Sequence, residues 1–482
     1  NLGWLAGRRG DLVEALQLFD EAEAEHVRLG LPAEAVMPDR CEVLLAAGLL
    51  TEAMAVAERA ALALERMGDT ADHAEALIVC AQIALRQRDW QRAASAAHRA
   101  ADLFSTSGRL PWSAHARALA IEAEHAQSPA DDAALSKLAE VRTQLADGDL
   151  AVAVFDVDLL TARILLSSGR VDEAARVLTS LDIRRLMVHS RPAARALRAE
   201  LLIAAGQTRA AWRELSSGLA ELHTARSSLG ATEMRASIGL HGDDVVRVGT
   251  ALALGQRQPW RVLTWSELAR ARAMDFPPMV ADLEAVAATD RVRLLEQQVE
   301  HASVASAATL RAELATAVDA LQRLTRRRHG PAVSADRRLV PAEVRAALGG
   351  RRLVQLLEHD QQLWAVVVQG RSARLCALGD GAHWRAAATE LRRCLARVLA
   401  GHGDDRLRRS AGSLLERAGQ RMDELLAPAL GTGEEPVVLV ATARLHAAPW
   451  GAVPSLARRS FVVAPSTALW IAARRRPAPS AP

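Results

Sequence analysis

The stretch Leu45-Ala46-Ala47-Gly48-Leu49-Leu50-Thr51-Glu52-Ala53 decides the fold. An aliphatic helix end runs into a glycine, and an alanine follows five residues later. Glycine ends a helix because the left-handed cap needs no Cβ. A small residue after the turn lets the next helix pack closely against the last. The same pattern recurs as Gly10 to Ala15, Arg88 to Ala93, Ser128 to Ala133, Gly169 to Ala174 and Gly206 to Ala211. In the first three repeats a second alanine stands seven residues on, at Ala22, Ala60 and Ala100. A recurrence of roughly forty residues predicts pairs of antiparallel helices stacked into an α-solenoid, since one pair alone leaves an apolar face uncovered.

Downstream, helix is expected to continue from Trp212 to about Pro278, with an arginine-rich helix from Trp265 to Met274. One long helical stretch is expected from about Ala281 to Arg328. Within it Leu310, Leu314, Ala317, Leu321 and Leu324 keep the 4-3-4-3 spacing of a coiled-coil-like seam. Arg326-Arg327-Arg328 and His329-Gly330-Pro331 close that helix, and cations at a helix C-terminus complement its dipole. After Pro331 the period changes. The segments 352–357, 363–369 and 373–378 read as an antiparallel meander. Two helices follow, about 383–399 and 405–425, and then two strands, 436–441 and 461–464. The expected division is 1–211 helical repeats, 212–330 helical connector and 331–482 a partial α/β domain.

Composition narrows the chemistry. The chain has 482 residues, half of them apolar. All 60 basic residues are arginine except Lys137, and tyrosine is absent. A single lysine with no glycine loop before it leaves no place for a P-loop or a kinase phosphate lysine. No phenol is available as acid or nucleophile. The net charge of +3 comes from interleaved acids and arginines, so no nucleic-acid surface is expected. Cys41, Cys80, Cys376 and Cys394 have neither disulfide nor zinc spacing, which fits a reducing, cytoplasmic setting. No membrane span and no cofactor are expected.

The repeats resemble tetratricopeptide repeats, with a longer period and without that pattern's tyrosine. The last third resembles the opening half of a CHAT domain, the caspase-like family named for association with tetratricopeptide repeats. The residues that carry this are Leu426-Ala427-Pro428-Ala429-Leu430, the strand Val437 to Val440, Leu445-His446-Ala447-Ala448-Pro449-Trp450, and Ala464-Pro465-Ser466. Leu353-Val354-Gln355, with Leu363 to Val368, resembles the family's first sheet, and the helix Glu267 to Ala273 the segment before it. The resemblance spans about 265–482. One departure is Ala441-Thr442-Ala443-Arg444, where the family often has a Pro-Asp-Gly-like turn. The resemblance implies a cysteine peptidase with a His and Cys pair on later strands, regulated by a protein or peptide partner in the repeat groove. The chain stops before either residue, so an inactive fragment is expected. The alternative is a non-enzymatic scaffold or the repeat arm of a signalling regulator.

Accordingly, no catalytic, cofactor-binding or metal-binding residue is assigned. Cys41 and Cys80 read as structural thiols of repeat helices, Cys376 as a strand residue and Cys394 as a helix residue. His446 is expected to position its loop. His241-Gly242-Asp243-Asp244 and His402-Gly403-Asp404-Asp405 are expected to cap helices rather than bind metal. Gly379-Asp380-Gly381 lacks the third glycine of a dinucleotide loop, and Gly431-Thr432-Gly433 precedes a strand, the wrong order for one. Ser466 is expected to be an N-cap, not a nucleophile.

Overall fold

In the computed structural model, which describes residues 2–30, 37–269, 283–303, 306–330, 339–400, 405–442 and 445–475, the chain is mostly helical with one small mixed sheet. The first helices are α1 (Leu2–Arg9), α2 (Leu12–Leu29), α3 (Met37–Ala46), α4 (Leu50–Met67), α5 (Thr70–Gln87) and α6 (Trp90–Thr106). Then come α7 (Leu110–Gln127), α8 (Asp131–Asp147), α9 (Ala151–Ser167), α10 (Val171–Thr179), α11 (Arg191–Ala204), α12 (Thr208–Ser227) and α13 (Thr232–Ser237). After them stand α14 (Asp243–Gly255), α15 (Pro259–Ala269), α16 (Leu283–Glu300), α17 (Ala307–Arg326) and α18 (Pro341–Leu348). The last part holds β1 (Arg352–His359), β2 (Gln362–Gln369), β3 (Ser372–Asp380), α19 (Gly381–Ala400) and α20 (Asp405–Leu430). It ends with β4 (Val437–Val440), α21 (Pro454–Ala457), β5 (Phe461–Ala464) and α22 (Thr467–Arg475).

These form two compact units, residues 1–245 with 276–335 and residues 246–275 with 336–482. In the first unit, each turn of the repeat pattern is built by its own backbone. At the opening stretch, Gly48 N–H donates to the Leu45 carbonyl and Leu49 N–H to the Leu44 carbonyl, both at 2.9 Å, the paired bonds of a Schellman cap. Gly10, Gly48, Arg88, Gly169 and Gly206 all have positive φ. A Cβ on Gly48 would lie 2.2 Å from the Ser237 carbonyl oxygen, so glycine is required there for space as well. Behind these turns Ala15, Ala53, Ala93, Ala174 and Ala211 are fully buried. Asp11 and Asp89 then cap the next helix, accepting from Glu14 N–H and Arg92 N–H.

The Ser128 turn departs from expectation. Ser128 precedes Pro129, which bars the left-handed cap, and its φ is −143°. The chain runs extended and α8 starts one residue late, so Ala134 is buried in place of the exposed Ala133. The long helix expected over 281–328 is also two helices. α16 and α17 pack on each other, linked by Arg291 and Glu313 at 3.3 Å, and the leucine seam of α17 is only half-buried.

In the second unit the strand order is β3-β2-β1-β4-β5. β1, β2 and β3 form the expected antiparallel meander, while β1, β4 and β5 run parallel. Val354 and Leu356 join a core with Trp384 and Leu391 of α19 and Met422 and Leu426 of α20. Alternate residues of β1 point to the other face, where Gln355 meets α15 and α22. Burial on both faces explains why β1, β2 and β4 read as nearly continuous apolar runs.

Candidate functional site

In sheets with parallel strands, ligands bind beyond the carboxyl ends of the strands, where a helix N-terminus presents free N–H groups. Here that place lies after β5, at the start of α22, and it is filled from within. Glu267 of α15, itself buried, accepts from Thr467 N–H and Ala468 N–H, each at 3.0 Å. Leu469 N–H donates to Ser466 Oγ at 3.1 Å, so Ser466 is the expected N-cap.

A hydrogen-bonded chain runs beneath this cap. Thr467 Oγ1 donates to Gln355 Oε1 at 2.7 Å, Gln355 Nε2 donates to Ser266 Oγ at 2.6 Å, and Ser266 Oγ donates to the Leu263 carbonyl at 3.0 Å. Gln355 and Thr467 have no exposed surface. Such a buried polar run persists only when its members are satisfied. The arrangement holds a carboxylate where an anionic ligand would otherwise sit. Sequence reading does not single out Ser266, Glu267 and Gln355 as a group. The available signal is one glutamine inside the apolar run Leu353-Val354-Gln355-Leu356-Leu357.

The four cysteines are free and buried. A nucleophilic cysteine needs its thiolate stabilised, and burial does the reverse. It pushes the Cys41 thiol up to about 12 and the Cys80 thiol up to about 11. It raises Cys376 too, although the Arg374 guanidinium 2.6 Å from its Sγ opposes the rise. Cys394 sits on the buried face of α19. His446 is exposed and has no hydrogen bond among the described residues, so its loop is held by the buried Leu445 and Trp450 instead.

His241 is a core residue rather than part of a helix cap. Its Nε2–H donates to the Ala46 carbonyl at 3.0 Å, and its ring centroid lies 5.1 Å from that of His189. Asp243 and Asp244 form the first turn of α14. His402, Gly403 and Asp404 lie outside the described residues, as do Arg270–Met274, Ala443 and Arg444. Asp380 Oδ1 accepts from Ala382 N–H at 2.7 Å, so Gly379-Asp380-Gly381 is a helix start. Gly431 ends α20 at positive φ. Among the described residues no three His, Cys, Asp or Glu side chains could together hold a metal ion, and no helix is long and apolar enough to cross a membrane.

The repeat helices carry a second set of candidates. On α3, Glu42 is pushed up to about 7 by burial and by the charge of Asp39. On α5, burial and Asp72 raise Glu75. The Glu42 carboxyl reaches water, but the protein around it and its acidic neighbours both disfavour its charge. A hydrogen bond from Trp4 and the charge of Arg8 oppose the rise at Glu42, and Arg109 pairs with Glu75 at 3.3 Å. No protein-family model matches this sequence, and a search of curated proteins finds no significant match.

Proposed function

We propose that the chain combines a partner-binding arm of tetratricopeptide-like solenoid repeats with the non-catalytic first half of a CHAT-type caspase-like domain. In this reading the arm regulates, by binding a protein or peptide, a cysteine peptidase activity that none of the four buried cysteines of this chain supplies. The observation that carries it is the sheet. An antiparallel meander leads through β1 into the parallel strands β4 and β5, with helices on both faces, downstream of the helix pairs. Those strands also favour the reading over a purely helical scaffold.

A thiol-reactive peptide probe is the direct test. Incubated with the folded chain, it should label none of the four cysteines specifically. Specific labelling that disappears on replacing a histidine would overturn the reading.

A further inference from the structure

The hairpin of α16 and α17 is attached to the repeat helices in an unusual way. Along α17 the one fully buried side chain is not apolar but is Arg326, at 6% exposure. It forms a two-pronged pair with Glu52 of α4. Nη1 lies 2.9 Å from Oε1 and Nη2 lies 2.8 Å from Oε2. Nη2 also donates to Glu233 of α13 at 3.2 Å. The residues that follow run over the edge of the same surface. Gln17 Nε2 donates to the Arg327 carbonyl at 2.7 Å, the Arg327 guanidinium faces Asp20 at 3.8 Å, and His329 Nε2 lies 3.2 Å from Asp11 Oδ1.

The backbone is read as well. Gly230 N–H donates to the Arg328 carbonyl at 2.8 Å and Gly330 N–H to the Ser228 carbonyl at 2.9 Å, with Leu229 and His329 paired as a one-rung antiparallel bridge. A Cβ on Gly330 would lie 2.3 Å from the Ser227 carbonyl oxygen, so only glycine fits at that position. This combines two known ways of holding a peptide, the planar fork of arginine on a carboxylate and strand addition to a free backbone edge. Arg326 and Arg327 thus make ion pairs beyond complementing the dipole of their own helix.

We infer that Asp11, Asp20, Glu52 and Glu233, with the edge at Ser228–Gly230, form a recognition site for a peptide of pattern Arg-x-x-x-Gly. The chain's own Arg326–Gly330 occupies it as a cis ligand that an Arg-x-x-x-Gly segment of a partner displaces. The side-chain contacts are polar, Glu52, Glu233 and Asp11 keep between a third and half of their surface in water, and His329 keeps more than half. Salt therefore weakens the seat. A tethered ligand competes at an effective concentration on the order of millimolar, so an incoming peptide gains when the cis copy is weakened. This inference is independent of the caspase-like reading.

The test uses the full chain and a labelled peptide of residues 322–330. In the unaltered chain, excess peptide should speed amide exchange at Gly330 while Gly230 stays protected, because the peptide replaces the segment on the same edge. An unchanged Gly330 amide at saturating peptide overturns the inference. The Arg326→Ala chain should bind the peptide at least tenfold more tightly than the unaltered chain, and adding Glu52→Gln with Glu233→Gln should abolish that binding. A peptide carrying Arg326→Ala keeps the other arginines, and equal binding by it would mean charge attraction alone and would also overturn the inference. Should Arg326→Ala fail to fold, the exchange measurement on the unaltered chain decides.

Discussion

In the repeat unit, a buried alanine is placed by a turn five residues before it. In the sheet unit, a buried glutamate is placed by a helix terminus 200 residues after it. Both positions are closed to water, yet they fail differently. The turn of Gly48 satisfies its own carbonyls at Leu44 and Leu45 through backbone N–H groups of the same turn, so its polar bonds need no distant partner. The cap of Glu267 is joined through Thr467, Gln355 and Ser266 to three elements at once, so damage there reaches the whole layer.

The largest effect is expected at Glu267. Glu267→Ala strands two N–H groups in a dry setting and should cost the sheet unit about 2 to 4 kcal/mol. The urea midpoint of that unit reads it. A loss under about 0.5 kcal/mol would mean the cap contributes no more than a surface contact.

Next comes the packing of the repeats. Ala93→Leu overfills a closed helix contact and should cost about 1 to 3 kcal/mol. Ala133→Leu should stay within about 0.5 kcal/mol, because that side chain faces water. Equal losses at the two positions would place α8 in the register of the other repeats and refute the late start after Pro129.

A third effect separates the units by pH. Burial, helped by the charge of Arg86, pushes His241 down to about 4, and His189 beside it is also lowered. An unfolded histidine titrates near 6.5, so the unfolded state takes up protons first as pH falls. The stabilisation is complete above pH 6.5 and is lost between 6.5 and 4, at about 1.4 kcal/mol per pH unit for His241. The Glu42 and Asp156 carboxyls of the same unit, both pushed up to about 7, act in the opposite sense, so the His241 share is the difference between the unaltered chain and His241→Gln. Thermal unfolding of the two chains should diverge between pH 6.5 and 4, with His241→Gln losing less stability, and parallel curves would exclude this ring.

The smallest effect tests the one turn of the repeat pattern at which a residue other than glycine takes positive φ. Arg88 holds φ +61°. Arg88→Gly removes the Cβ cost of that conformation and should raise stability by up to about 1 kcal/mol. A drop instead would show that the arginine side chain contributes more than its backbone costs.

The two regions also differ in how far the sequence discloses them. The repeat turns are legible because the left-handed cap and the packing alanine lie within six residues of each other. The one misplaced alanine, Ala133, follows from not weighing Pro129. The strands are legible from their apolar runs, and the meander from its short turns. The parallel pairing of β1 with β4 is not, because two long helices intervene. Nor is the break between α16 and α17, where His301-Ala302-Ser303 carries neither glycine nor proline. Glu267 reads as one acid on an arginine-rich helix, since its partners are backbone groups that local pattern cannot place.

The 200 residues between Glu267 and Thr467 also set an order in time. At a synthesis rate of about 5 to 20 residues per second, that carboxylate waits roughly 10 to 40 s on the ribosome for the amides it will cap. The early repeats can close turn by turn as they emerge. The sheet cannot, because β1 is flanked on one side by a strand made more than 75 residues later. During that interval the apolar faces of the meander stand open, and a nascent-chain chaperone would find its substrate there rather than in the arm.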